Sequence, residues 1–227
     1  MTNRKKLIIF IVILLVISGL GSYIYYDYVG NVGNRVSNKS TENNSSLTSE
    51  PATGGTPTPN LEEIKKQIPN LDRAIVFKGD LTEEQKNRAI AEIKMITAAL
   101  KADYDKLAEW LTLGIWRKTI GDYEGAAEAW KFATIIRSKD PVAFHNLGDL
   151  YSQYFPDYPK AEQYYLSAIE KDTGHNPFFF IKLYEFYRYY YKKLDLAEKT
   201  LLDAIKANPG DEQLKAILDD LRKEVGK

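Results

Sequence analysis

Cysteine is absent from the 227 residues, which excludes disulfide frameworks, thiolate zinc sites, iron–sulfur clusters, thiol nucleophiles and a lipidated N-terminal cysteine. Net charge is absent as well, because 31 Lys and Arg balance 31 Asp and Glu. Without a basic surplus the chain lacks the clustered positive charge that holds phosphates, so no nucleic-acid partner is expected. Histidine is scarce. Of the two, His175 lies in a Thr-Gly-His-Asn-Pro turn and His145 has no companion at metal-ligand spacing. The H-E-x-x-H, G-x-S-x-G and phosphate-loop patterns are missing too. No catalytic, metal or cofactor site is expected, and the chain reads as a non-enzyme.

What is present is unevenly distributed. No charge falls between Lys6 and Asp27, and only Ser18 and Gly19 interrupt the aliphatic run from Leu7 to Leu20. About 20 residues at ~1.5 Å rise cross a hydrocarbon core of ~30 Å, so residues 7–26 are expected to form a transmembrane helix. Arg4, Lys5 and Lys6 precede it, and the next basic residue is Arg35. That bias keeps the N-terminus in the cytoplasm and the remainder outside. A cleaved signal peptide shares these ingredients. Apolar character resumes after Ser22, however, and no Ala-x-Ala pattern occurs, which favours an uncleaved anchor.

The expected divisions are 1–29 (basic stub and membrane helix), 30–60, 61–81 and 82–227. Residues 30–60 are dominated by Gly, Pro, Ser, Thr and Asn and contain almost nothing large and apolar. Such a segment cannot offset its conformational entropy by burial and reads as a flexible linker. In 61–81, Leu61–Gln67 suits a short helix stopped by Pro69. Arg73-Ala-Ile-Val-Phe77 suits an extended arm lying on the next helices through Ile75 and Phe77.

From Thr82 onward the sequence is helical and repetitive. Ala91, Ala126, Ala161 and Ala197 are spaced by 35, 35 and 36 residues. Each is followed by a large residue (Met95, Trp130, Tyr165, Leu201) and then a second alanine (Ala98, Ala133, Ala168, Ala204). Small residues let helix backbones approach closely while the large one fills the groove between them. A preceding helix repeats in step: Trp110, Phe144 and Phe180 are followed by Leu113, Leu147 and Leu183. Gly114 and Gly148 come next, with Tyr184 in the third copy. Then follow Arg117, Tyr151 and Tyr187, with the first copy departing from tyrosine. Asp140-Pro141, Asn176-Pro177 and Asn208-Pro209 pair an N-cap residue with proline at the first helical position. Leu214, Ile217, Leu218 and Leu221 give the last helix one apolar stripe, as a terminal cap requires.

These motifs resemble the tetratricopeptide repeat (TPR) family. Trp110-Leu-Thr-Leu113-Gly114 and Phe144-His-Asn-Leu147-Gly148-Asp-Leu-Tyr151 match its opening signature, and Ala197, Leu201, Ala204 and Pro209 match its ending. The resemblance implies an all-α helical solenoid of about three helix pairs, opened by a half-unit at 82–101 and closed by a capping helix. It also implies that the first helix of each pair lines a groove. The groove positions are Leu111, Ile115 and Lys118 in the first copy, and His145, Asp149, Ser152 and Gln153 in the second. The third contributes Phe178, Ile181, Glu185, Arg188 and Tyr189. Members that clamp acidic chaperone tails carry Lys and Asn where this chain has Leu111 and Ile115, so such a tail is not the expected partner.

The expected function is therefore a membrane-anchored scaffold or assembly factor that docks a protein or peptide outside the cytoplasm. The alternative comes from the run Phe178–Tyr191, where nine of fourteen residues are aromatic. Helical phase turns Phe180, Leu183, Tyr184 and Tyr187 inward. The others are exposed or covered by the arm, and an exposed aromatic edge would suit self-association into a membrane-bound homo-oligomer.

Overall fold

The computed structural model describes residues 61–226, and the expected membrane helix and linker lie outside them. Among the described residues there are nine α-helices and no strand. A short α1 (Leu61–Lys65) precedes the arm, and α2 (Glu83–Ala102) opens the stack. Three antiparallel pairs follow: α3 (Leu107–Thr119) with α4 (Tyr123–Ile136), α5 (Pro141–Gln153) with α6 (Tyr158–Lys171), and α7 (Pro177–Glu185) with α8 (Leu194–Ala207). Helix α9 (Glu212–Glu224) closes the end. Successive pairs pack on their neighbours, giving a helical solenoid.

Local chemistry starts the helices where the sequence suggests. Thr82 and Gln85 form a reciprocal capping box at α2. Asp122, Asp140, Asp157 and Asn176 accept backbone N–H groups at the next helix starts, with Pro141 and Pro177 in the first turn. Asn208-Pro209 departs from this pattern. Asn208 ends α8, and Asp211 caps α9 by accepting from Gln213 and Leu214. The proline thus sits in the turn, where it cannot prolong the helix before it.

The small–large pairing builds the core of each pair. Ala126, Ala133, Ala161, Ala168, Ala197 and Ala204 are buried, as are Trp130, Tyr165 and Leu201. A Cβ on Gly114 would lie 2.1 Å from Trp130 Nε1, and one on Gly148 would lie 2.8 Å from the Tyr165 ring. Each glycine is the floor on which the facing ring rests. In the third pair the bulk is exchanged, with buried Tyr184 and Leu201 at those positions.

The opening unit has a different register from the one the alanine interval suggests. Ala91 and Ala98 face solvent and Met95 is 62% exposed, whereas Ala89, Ile93, Ile96 and Leu100 are buried. Ala89–Ile93–Ile96 keeps the same i, i+4, i+7 spacing, displaced by two residues. The reason is burial: the β-branched and leucine stripe removes more apolar surface from water than alanines and a methionine would.

The arm is extended, with Leu71, Arg73, Ile75 and Phe77 half-buried and the residues between them exposed. Its main clamp is polar. Buried Arg117 donates to the carbonyls of Ala74 and Arg73, each at 2.8 Å, and also to Asp122 at 3.1 Å. Arg73 grips Asp122 with Nε and Nη2, each at 2.8 Å, and reaches Glu128. Burial opposes ionisation of Asp122, but the bonds from Arg73 and the Gly125 N–H outweigh it and hold the carboxyl below its ordinary range. The arm therefore lies on the first pair and not on the aromatic helix.

Candidate functional site

The first helices of the three pairs bring most of the expected groove residues to one face, at different depths. Leu111, His145 and Ser152 are buried, at 3%, 7% and 2% exposure, and lie beneath the surface. Leu111 belongs to the core because its carbonyl accepts from Trp130 Nε1 at 3.0 Å. Ile115, Lys118, Asp149, Phe178, Ile181, Glu185 and Arg188 are half-buried, while Gln153 and Tyr189 are exposed.

The centre of the face is built around Asp149. One carboxylate oxygen accepts from Tyr165 Oη at 2.6 Å, and Ser152 Oγ lies 3.2 Å from the same phenol. The other oxygen is 3.6 Å from His145 Nε2. The His145 ring stands edge-on to Phe178, with centroids 4.9 Å apart, and its Nδ1 has no partner. Burial pushes the imidazole below its ordinary value of 6.5, against the pull of Asp149, so it is neutral at physiological pH. Burial likewise pushes the Tyr165 phenol up, and the Asp149 charge adds to the shift.

Beyond Glu185 the helix widens into a π-turn, Phe186–Tyr191, closed by Lys192 in the left-handed conformation at φ 57°. This turn decides which aromatics serve the core. Phe186 and Tyr187 are buried, whereas Tyr189 and Tyr190 are 52% and 39% exposed. The π-turn packs against α5, and burial first, then the charges of Asp149 and Glu185, raise the Tyr190 phenol. Tyr154 at the end of α5 is raised by burial and then by Tyr123, Asp149 and Tyr190. Tyr123 and Tyr154 are in ring contact at 4.2 Å.

Tyr123, Tyr154 and Tyr190 were not among the sequence candidates. The usable signal is the 36-residue interval between Tyr154 and Tyr190, which equals the step between the second and third copies. Arg188 is a candidate with another task. It bonds Glu224 on the capping helix and the Tyr184 hydroxyl, so it ties α9 to the third pair.

A separate apolar cavity of about 310 Å³ opens between α6 and α8, with Leu166, Leu183 and Leu196 in its lining and Glu162, Lys199 and Asp203 also bordering it. Among the described residues no three His, Asp or Glu gather as metal ligands.

The chain matches no protein-family model and no curated protein. Among solved structures it is similar to MamA at 20% identity and TM-score 0.49, over 66% of this chain and 87% of that one. It is also similar to YrrB, a TPR protein with an unusual peptide-binding site, at 17% identity and TM-score 0.46, over 58% of this chain and 66% of that one.

Proposed function

We propose that the chain is a protein–protein interaction scaffold, anchored in a membrane by its N-terminus and docking a segment of another protein on its first-helix face outside the cytoplasm. The docking role rests on one contrast. Phe178 and Ile181 stay half-buried and Tyr189 exposed, on helices whose inner sides are fully buried. Accessible aromatic and apolar side chains on a rigid frame are the usual anchors of a binding surface. The TPR-like motifs in the sequence support the same reading.

The membrane placement rests on the sequence, through the uncharged run 7–26 behind Arg4, Lys5 and Lys6. Within the described residues no helix is long and apolar enough to cross a membrane.

The test is photocrosslinking of the full chain in its native membrane, from a probe at Ile181 and another at Leu202, an exposed position on α8. A discrete adduct from 181 and none from 202 is expected. The reverse would move docking to the second helices. A reporter fused after Lys227 is expected to work only outside the cytoplasm, and cytoplasmic activity would overturn the topology.

A second reading, self-association, is favoured by the exposed Tyr189, Leu194 and Leu196 close together in the chain. Light scattering of the detergent-solubilised chain tests it, and a monomer would remove it.

A further inference from the structure

Two acids occupy equivalent positions on the first-helix face, and their surroundings differ. Glu185 is paired with Lys182 at 2.7 Å. Asp149 has no Lys or Arg within ion-pair distance among the described residues, and the basic side chain within 4.0 Å of it is His145, at 3.6 Å. That imidazole is 7% exposed and uncharged. Asp149 is therefore a carboxylate whose side chain is only 26% exposed, with hydrogen bonding from Tyr165 but no Lys or Arg in an ion pair with it among the described residues.

An anion withdrawn from water gains most from a cation that is withdrawn with it. A neutral donor would supply a hydrogen bond and leave the charge uncompensated. The surroundings also suit a cation: the π-turn packs against α5, the helix that carries Asp149, and its Tyr190 is 39% exposed. Phenol rings attract ammonium and guanidinium groups through their electron-rich faces.

We propose that Asp149 receives one Lys or Arg side chain of the docked segment, with Tyr190, on the π-turn packed against α5, as an aromatic wall. This rests on the first-helix face being the docking surface and adds the chemistry of the partner: an extended segment carrying a basic residue. It is the opposite of a tail recognised through its carboxylates.

The test begins with a random 12-residue peptide display library selected on the full-length chain in detergent. Selected peptides are expected to share a Lys or Arg. Replacing that residue by norleucine in the tightest peptide is expected to weaken binding about 10- to 100-fold. Asp149→Asn keeps an oxygen for Tyr165 and is expected to cost a similar factor. The norleucine peptide should then lose nothing further on Asp149→Asn, because both changes remove the same pair. Tyr190→Ala should weaken binding several-fold and Tyr190→Phe should not. Circular dichroism of each variant separates loss of binding from loss of fold. Peptides that crosslink from position 181 yet bind Asp149→Asn unchanged would overturn the cation assignment and leave the docking surface standing. Peptides that never crosslink from 181 would overturn both.

Discussion

Arg117 in the first pair and Tyr187 in the third hold the same position in the repeat, and comparing them shows how one frame is given two ends. Arg117 is fully enclosed and faces outward along the chain: it holds the arm's carbonyls and shares Asp122 with Arg73. Tyr187 faces back into the stack, donating its hydroxyl to Glu162 on α6. Tyr151, between them, lies against Tyr164 and under the Lys160 ammonium, 4.4 Å from the ring centroid. The alanines and the facing large residues set the pair, while this single position sets what the pair is joined to.

The strongest way to break the comparison is Arg117→Leu. It leaves Asp122 short of a partner and two carbonyls without donors, and about 3–5 kcal/mol of stability should be lost. Urea denaturation measures the loss, and limited proteolysis should show cleavage within 61–81 before the helices. Gly114→Ala comes next. Its Cβ would strike Trp130, and the expected cost is about 1–3 kcal/mol by the same denaturation measurement. Tyr187→Phe removes only the bond to Glu162, worth about 1–2 kcal/mol, and should leave the arm as resistant to protease as before. If Tyr187→Phe proves as costly as Arg117→Leu, the two ends are not built differently.

The smallest effect is in pH. His145 is pushed below its ordinary value of 6.5 by burial, while the unfolded chain keeps that value. The unfolded state then binds the extra proton first, so stability is full above about pH 6.5 and declines as acid takes the pH toward the lower folded value. Asp149 and Glu185 oppose the shift, and Lys182 and Lys118 reinforce it. His145→Gln should remove this part of the decline in melting temperature between pH 6.5 and 5, leaving only the carboxylate transitions below.

Much of the fold could be read from the residues. The six alanines of the three pairs are buried where their spacing puts them, and Leu214, Leu218 and Leu221 seal the end with Ile217 half-buried. The opening unit misled because α2 carries two interleaved patterns, and an alanine interval says nothing about which stripe hides more surface. The site was legible only as a face. Depth depends on what packs over each side chain: His145 lies against Phe178 and Phe179 of the next pair, and Ser152 meets Tyr165 of its own pair. Tyr190 was missed because a straight α-helical phase cannot foresee a π-turn. The departure at Arg117 was visible, but its meaning needed the arm to be in place.

The π-turn also bears on how such a molecule changes over time. From Tyr151 to Ala161 and from Tyr187 to Ala197 the chain uses ten residues where Arg117 to Ala126 uses nine. The second pair houses the surplus in the loop around Phe155 and Pro156, and the third houses it inside a helix, at Phe186–Tyr191. One inserted residue, absorbed there as a wider turn, re-aims the side chains within the turn while leaving those before and after it in register. A lineage can thus exchange the aromatic groups it presents at its surface by gaining or losing a single codon, with the alanine seams that hold the pairs together untouched.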